Sequence, residues 1–167
     1  MQPTSYQPAV DLLPYGGELN LVVGCGTQPT THAGPHRIPL GNPQTHQDVF
    51  IPVNAAYTMD IVPTMLPHRV GSFWIADHTE DLPSRTFQYI YFENLPGNLL
   101  NDRGWALTAA RTAHRLLGNG GMLIIRAGMN AIAPGGELHQ ALQDVFGASV
   151  GHNLDQYQWA QDIRAWK

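Results

Sequence analysis

The stretch from Phe87 to Ile125 constrains this chain more than any other. Phe87-Gln88-Tyr89-Ile90-Tyr91-Phe92 is aromatic and strand-prone. Asn101-Asp102 offers a helix cap, and from Trp105 onward Ala109, Ala113, Leu116 and Leu117 recur at helical spacing. Gly118-Asn119-Gly120-Gly121 is expected to end that helix, and Met122-Leu123-Ile124-Ile125 reads as a strand buried on both faces. Buried strand, helix and buried strand in succession predict a parallel sheet with crossover connections, so the expected fold class is α/β.

The rest of the chain can be fitted around that unit. Leu19-Asn20-Leu21-Val22-Val23 reads as a buried first strand running into the tight turn Gly24-Cys25-Gly26. Between Thr27 and Asp48 stand Pro29, Pro35, Pro39 and Pro43 with Gly34 and Gly41. Each proline costs a helix interior about 3 kcal/mol, so the helix that normally follows such a turn is expected to be missing or very short, and residues 27–54 read as a Pro/His-rich loop. A second strand is expected from Ala55 to Ile61, stopped by Pro63 and Pro67, and a third from Val70 to Ala76 with Asp77 just beyond its end. Gly136 to Phe146 carries the spacing of a last helix, and Ala148 to Trp166 has room for two hairpin-like closing strands. The 167 residues suit one domain, with residues 1–17 as an N-terminal extension.

Composition excludes several classes. Charged residues make up 13% and apolar ones 43% of the chain, too apolar and too weakly charged for disorder. Nine basic against 13 acidic residues give a net charge of −4, without a basic cluster, so strong binding to a nucleic-acid backbone is not encoded, while a small catalytic footprint on RNA or DNA stays open. Cys25 is the sole cysteine, which excludes an internal disulfide and a cysteine-based zinc cluster. No apolar run approaches the roughly 20 residues of a membrane span, and the first residues lack the halves of a signal peptide. The expectation is a soluble, cytoplasmic protein. Lys167 is the only lysine; a GC-rich genome explains this, as does selection against ubiquitination in a toxin or effector domain delivered to a host cytosol.

In parallel sheets ligands sit beyond the carboxyl ends of the strands. The polar residues expected there are Gly24-Cys25-Gly26, Asp60, Asp77 and Asn94. Glycines let backbone approach a ligand closely. A carboxylate after the second strand can accept both hydroxyl hydrogens of a ribose, and one after the third can accept the exocyclic amine of adenine. Together they describe an adenosine pocket. Dinucleotide binding asks for a third glycine and a helix N-terminus for the pyrophosphate, and Gly24-Cys25-Gly26-Thr27-Gln28-Pro29 supplies neither. An adenosine ligand without phosphate fits better, and S-adenosyl-L-methionine is the common one.

Val22-Val23-Gly24-Cys25-Gly26-Thr27 resembles the glycine loop of class I S-adenosylmethionine-dependent methyltransferases. Thr58-Met59-Asp60-Ile61 is similar to their ribose-binding acidic strand, Ala76-Asp77 to their adenine-side acid, and Phe87 to Pro96 to their fourth strand and catalytic loop. Ala113 to Ile125 resembles their helix, Gly-Gly turn and fifth strand. The resemblance covers roughly residues 18–126 and implies a Rossmann-like, mostly parallel twisted sheet with helices on both faces. It further implies S-adenosyl-L-methionine held by Gly24, Cys25, Gly26, Asp60, Ile61, Ala76, Asp77, Glu93 and Asn94. Asn94-Leu95-Pro96 is similar to the catalytic loop of amino-group methyltransferases, which makes Asn94 the expected catalytic residue, acting by positioning the acceptor in line with the cofactor methyl. Where those that act on bases place an aromatic residue, this chain has Gly97. The usual acid of the first-strand motif is Val22 here. That departure, together with the missing first helix, motivates the alternative of a non-catalytic module that binds S-adenosylmethionine or a nucleotide. The methyl acceptor carries no legible code.

His32, His36 and His46 with Asp48 lie in the Pro-rich loop, where they could bind a metal or serve as a general base. His32 and His36 would align only on a helix, which Gly34-Pro35 prevents, so they are read as solvated loop histidines and no metal is expected.

Overall fold

A computed structural model describes residues 19–24, 36–38, 49–51, 56–65, 67, 69–92, 97–128, 135–154 and 160–167. Its strands are β1 (Leu19–Val23), β2 (His36–Ile38), β3 (Val49–Ile51), β4 (Ala56–Asp60), β5 (Arg69–Val70), β6 (Phe87–Phe92), β7 (Leu117–Gly128), β8 (Val150–Leu154) and β9 (Ala160–Trp166). The helices are α1 (Gly97–Leu100), α2 (Arg103–Leu116) and α3 (Glu137–Phe146). Seven strands form one sheet in the order β5-β4-β1-β6-β7-β9-β8. The pairs β5–β4, β4–β1, β1–β6 and β6–β7 are parallel, while β9 runs antiparallel to both β7 and β8. The expected Rossmann-like, mostly parallel architecture is present, and the tail forms the expected closing hairpin.

Alternation along the strands sorts the core. Leu21, Val23, Tyr57, Met59, Ile90, Phe92, Leu123 and Ile125 share a buried cluster with Ala106, Ala109, Ala110, Ala113 and Leu116 of α2 and with Leu138, Ala141, Leu142 and Phe146 of α3. Each large apolar side chain so buried stabilises the fold by roughly 1.5–3 kcal/mol. The opposite parity on the strands holds Val22, Thr58, Tyr91 and Ile124, which are buried as well. At the carboxyl end of β6, Phe92 meets Phe73 edge-on at 5.1 Å and Trp74 at 5.5 Å.

Asp102 caps α2, its carboxylate accepting from the Trp105 amide at 3.0 Å. The other end differs from expectation: α2 stops at Leu116, and Gly118-Asn119-Gly120-Gly121 belongs to β7 rather than to a turn. Phe87 pairs with Leu117 and Tyr89 with Met122, so residues 118–121 span what Gln88 alone spans on β6. The result is a bulge. Lys167, the sole lysine, donates its Nζ to the carbonyls of His114 (2.6 Å) and Leu117 (2.8 Å) at the end of α2.

The bulge makes a sharp prediction. A Cβ on Gly121 would stand 2.9 Å from both the Gln88 and the Gly118 carbonyl oxygens, which are backbone and cannot swing aside. At Gly120 the φ is +78°, and nothing lies within 4 Å of the Cβ position. Gly121→Ala is expected to cost about 1–3 kcal/mol and Gly120→Ala about 1 kcal/mol of backbone strain, read from chemical denaturation.

His114 lies against Phe146 edge-on at 5.1 Å. Burial first and the Lys167 ammonium second push its pKa below the ordinary imidazole value. The unfolded chain therefore takes up a proton at a pH where the folded chain still resists it. Stability is unaffected above about pH 6.5 and falls as the pH drops below it. Thermal melts between roughly pH 7 and pH 5 are expected to fall more steeply for the wild type than for His114→Leu.

Two further expectations are corrected. The third strand, expected over Val70 to Ala76, shrinks to Arg69–Val70. The Ser72 amide donates to His78 Nδ1 (2.9 Å) instead of to a ladder, and the Ile75 amide turns back to the Ser72 carbonyl (3.2 Å). Residues 27–54 are also not wholly a loop, since β2 and β3 pair antiparallel from His36↔Ile51 to Ile38↔Val49.

Candidate functional site

The site is built at the carboxyl edge, where β1 and β4 lie side by side. Val23 pairs with Met59, and one residue on, the Gly24 amide donates to the Met59 carbonyl at 2.8 Å. Gly24 has a φ of +75°, a left-handed conformation that side chains disfavour. On the other flank the Gly71 amide donates to the Asp60 carbonyl at 2.9 Å. Asp60 is thus bracketed by Gly24 and by the segment that leaves β5. Its side chain is 8% exposed, and its Oδ1 accepts the Val62 amide at 2.9 Å, which fixes the carboxylate's orientation. Beyond it Ile61 (43% exposed) and Val62 (38% exposed) present apolar surface.

Asp77 is displaced from where the sequence put it. It sits with Ala76 on a 3₁₀ turn, Ala76–His78, and both are exposed. The turn belongs to an irregular segment between β5 and β6 that sequence reasoning missed as a unit. Two arginines fasten it. Arg69, wholly buried, donates Nη1 to the His78 carbonyl (2.8 Å) and Nη2 to the Asp81 carboxylate (2.6 Å). Arg115 on α2 donates Nη1 to the Leu82 carbonyl and Nη2 to the Thr79 carbonyl, both at 2.7 Å. Arg69 stands between His68 and Val70, and neither it nor Arg115 carries a sequence signal of this role.

Of the expected site residues, the fold brings Gly24, Asp60 and Ile61 together at the β1/β4 edge, while Ala76 and Asp77 lie on the exposed 3₁₀ turn further along the segment that begins at Gly71. Cys25, Gly26, Glu93 and Asn94 lie outside the described residues, as do His32 and His46. His36 is the first residue of β2 and pairs with Ile51 at one end of a three-residue ladder. Among the described residues no group of three His, Cys, Asp or Glu side chains could hold a metal, and no helix is long and apolar enough to cross a membrane.

No family model matches the chain, and no curated protein matches it in sequence. Solved structures do match in fold. A trans-methyltransferase, CalH, solved with SAH superposes with a TM-score of 0.57 at 12% identity, over 89% of this chain and 51% of that one. A possible exported protein from Bordetella parapertussis gives 0.53 at 11% identity, over 89% and 61%. An SAM-dependent methyltransferase from Aquifex aeolicus gives 0.50 at 13% identity, over 96% and 89%. The chain therefore spans about half to nine-tenths of the proteins it resembles. With the strand order and the antiparallel β9, these likenesses define the class: this chain has the fold of the class I S-adenosylmethionine-dependent methyltransferases.

Proposed function

We propose that this chain, as one domain, binds S-adenosyl-L-methionine and transfers its methyl group to an acceptor. The observation that carries the reading is Asp60: an oriented carboxylate at the carboxyl end of β4, beside a left-handed glycine at the end of β1. A buried acid whose position is fixed from both flanks suits a ribose diol, because its two lone-pair-rich oxygens can accept two hydroxyl hydrogens. The exposed Ile61 gives one apolar wall for an adenine ring, and Asp77 gives an acceptor for its exocyclic amine. Gly24 through Gly26 let the amino-acid end of the ligand pass close to backbone, with Ala76, Glu93 and Asn94 completing the pocket.

When bound, the cofactor supplies a methyl group on a sulfonium, already activated for in-line displacement. The chain's own task is then to hold an acceptor in line and keep water away. Asn94 is assigned to that acceptor side. It follows β6 in the sequence, β6 lies beside β1, and in open parallel sheets ligands sit beyond the carboxyl ends of such neighbouring strands. Asn94→Ala is expected to lower kcat by roughly tenfold or more while cofactor titration stays nearly unchanged. Weakened cofactor binding with intact turnover would move Asn94 into the cofactor pocket.

The test of the function is transfer of labelled methyl from S-adenosylmethionine to any component of a cell lysate. Transfer that depends on the chain and is lost in Asp60→Ala supports the reading. Cofactor binding without transfer to protein, nucleic acid or small-molecule fractions would favour the non-catalytic binding module, for which Val22 at the usually acidic position is the motive. Activity in the cytosol, without a membrane partner, is part of the same proposal.

A further inference from the structure

Residues 71–86 pass from the flank of Asp60 to the start of β6 without a ladder and with a single 3₁₀ turn. Such a stretch has little secondary structure to fix it, yet four guanidinium hydrogen bonds converge on residues 78–82. They come from two different elements, Arg69 from the edge strand β5 and Arg115 from α2. Arg69 is 0% exposed, while its partner Asp81 is 32% exposed. A cation withdrawn from water is expensive to keep, and an apolar side chain of similar size commonly serves stability as well or better. What an apolar side chain cannot do is hold specific carbonyls in register. The bonds begin at His78, the residue directly after Asp77, and the backbone they fix is the one that aims the Asp77 side chain. A charge-assisted hydrogen bond loses strength steeply with angle, so an exposed acid that reads a base needs its backbone held.

We propose that Arg69, with Asp81, and Arg115 form a clamp that positions Asp77 for recognition of the adenine amine, and so sets the base selectivity of the site. The inference rests on the adenosine pocket proposed above. The clamp residues touch neither ligand nor acceptor; they are positioning residues. Their loss should blunt discrimination between bases while leaving the ribose contact at Asp60 in place.

The experiment compares binding of S-adenosylhomocysteine with S-inosylhomocysteine, whose hypoxanthine presents a carbonyl where adenine presents the amine. The wild type is expected to prefer the adenine ligand by roughly tenfold or more, the ratio of one charge-assisted hydrogen bond. In Asp81→Asn and in Arg115→Lys the preference is expected to fall to about twofold or less, and in Asp81→Glu to return in part. Each variant is checked by thermal melting, and Asp81, being partly exposed, provides the variant that folds where Arg69→Lys does not. A folded clamp variant that keeps the full preference overturns the clamp and leaves the pocket standing. A wild type that binds both ligands equally overturns the Asp77 assignment and the clamp with it. A wild type that binds neither overturns the proposed function itself.

Discussion

Asp60→Ala is expected to weaken binding of S-adenosylhomocysteine by at least tenfold, and by a hundredfold if both ribose hydroxyls are held. Each hydrogen bond from a hydroxyl to a carboxylate contributes about 1.5–3 kcal/mol, and about 1.4 kcal/mol is a factor of ten in affinity. The carboxylate is well placed to deliver that energy: its Oδ1 is oriented by the Val62 amide at 2.9 Å, and its backbone is tied to Gly71 at 2.9 Å. Little ordering cost is left for the ligand to meet. Because alanine also removes the Val62 contact, Asp60→Asn is the companion variant; it keeps the shape and one acceptor oxygen and loses the charge. Calorimetric titration of both checks the expectation. Unchanged affinity in a folded Asp60→Ala would remove the ribose assignment.

The largest expected effect on stability is at the end of β6. Phe92 is 1% exposed and is the shared neighbour of Phe73 and Trp74. Truncation to alanine removes a full ring and leaves a cavity that the surrounding sheet and helices cannot close, a loss of about 3–5 kcal/mol. Most single domains hold only about 5–15 kcal/mol in total. Phe92→Ala should therefore unfold at a markedly lower denaturant concentration, and part of the population should be unfolded at ambient temperature. Phe92→Leu keeps most of the volume and is expected to cost less than half as much. An equal loss for both variants would show that the ring's shape is irrelevant to the packing of this edge.

How much of this was legible beforehand follows from the range of the interactions involved. β1, β4, β6 and the Met122–Ile125 part of β7 could be read because each is an apolar run with a local terminator. α2 and α3 could be read because Asp102 caps one and a four-residue recurrence of small or apolar side chains marks both. β5 misled because Val-Gly-Ser-Phe-Trp-Ile-Ala is strand-prone residue by residue. Its fate depends on the His78 ring taking the Ser72 amide and on Phe73 and Trp74 turning into the aromatic cluster with Phe92. Gly118–Gly121 read as a turn because three glycines and an asparagine say so locally, and only pairing with β6 and the return of Lys167 to Gly120 and Gly121 make it a bulged strand start. β2 and β3 are three residues each, too short to leave a period in the sequence.

The site divides the same way. The placement of Gly24 and Asp60 at neighbouring strand ends is legible in the sequence, since a glycine and an acid that close apolar runs are local features; their part in a ligand site is the proposal made above. Asp77 was found as a residue but misplaced as a strand terminus. Arg69 and Arg115 were not found at all. Their roles consist of carbonyls 9 to 36 residues away in sequence, and an arginine carries no local mark of which backbone it will hold.

The central claim is that the carboxyl edge of this sheet is a site for S-adenosylmethionine. Calorimetric titration of the wild-type chain with S-adenosylhomocysteine, with NAD titrated in parallel, tests it most directly. The expected result is saturable one-to-one binding of S-adenosylhomocysteine, with no measurable binding of NAD. At a hundredfold excess over the dissociation constant the same ligand should stabilise the fold by about 2.7 kcal/mol. A folded chain that takes up no S-adenosylhomocysteine at millimolar concentration, or that binds NAD as well or better, would contradict the account.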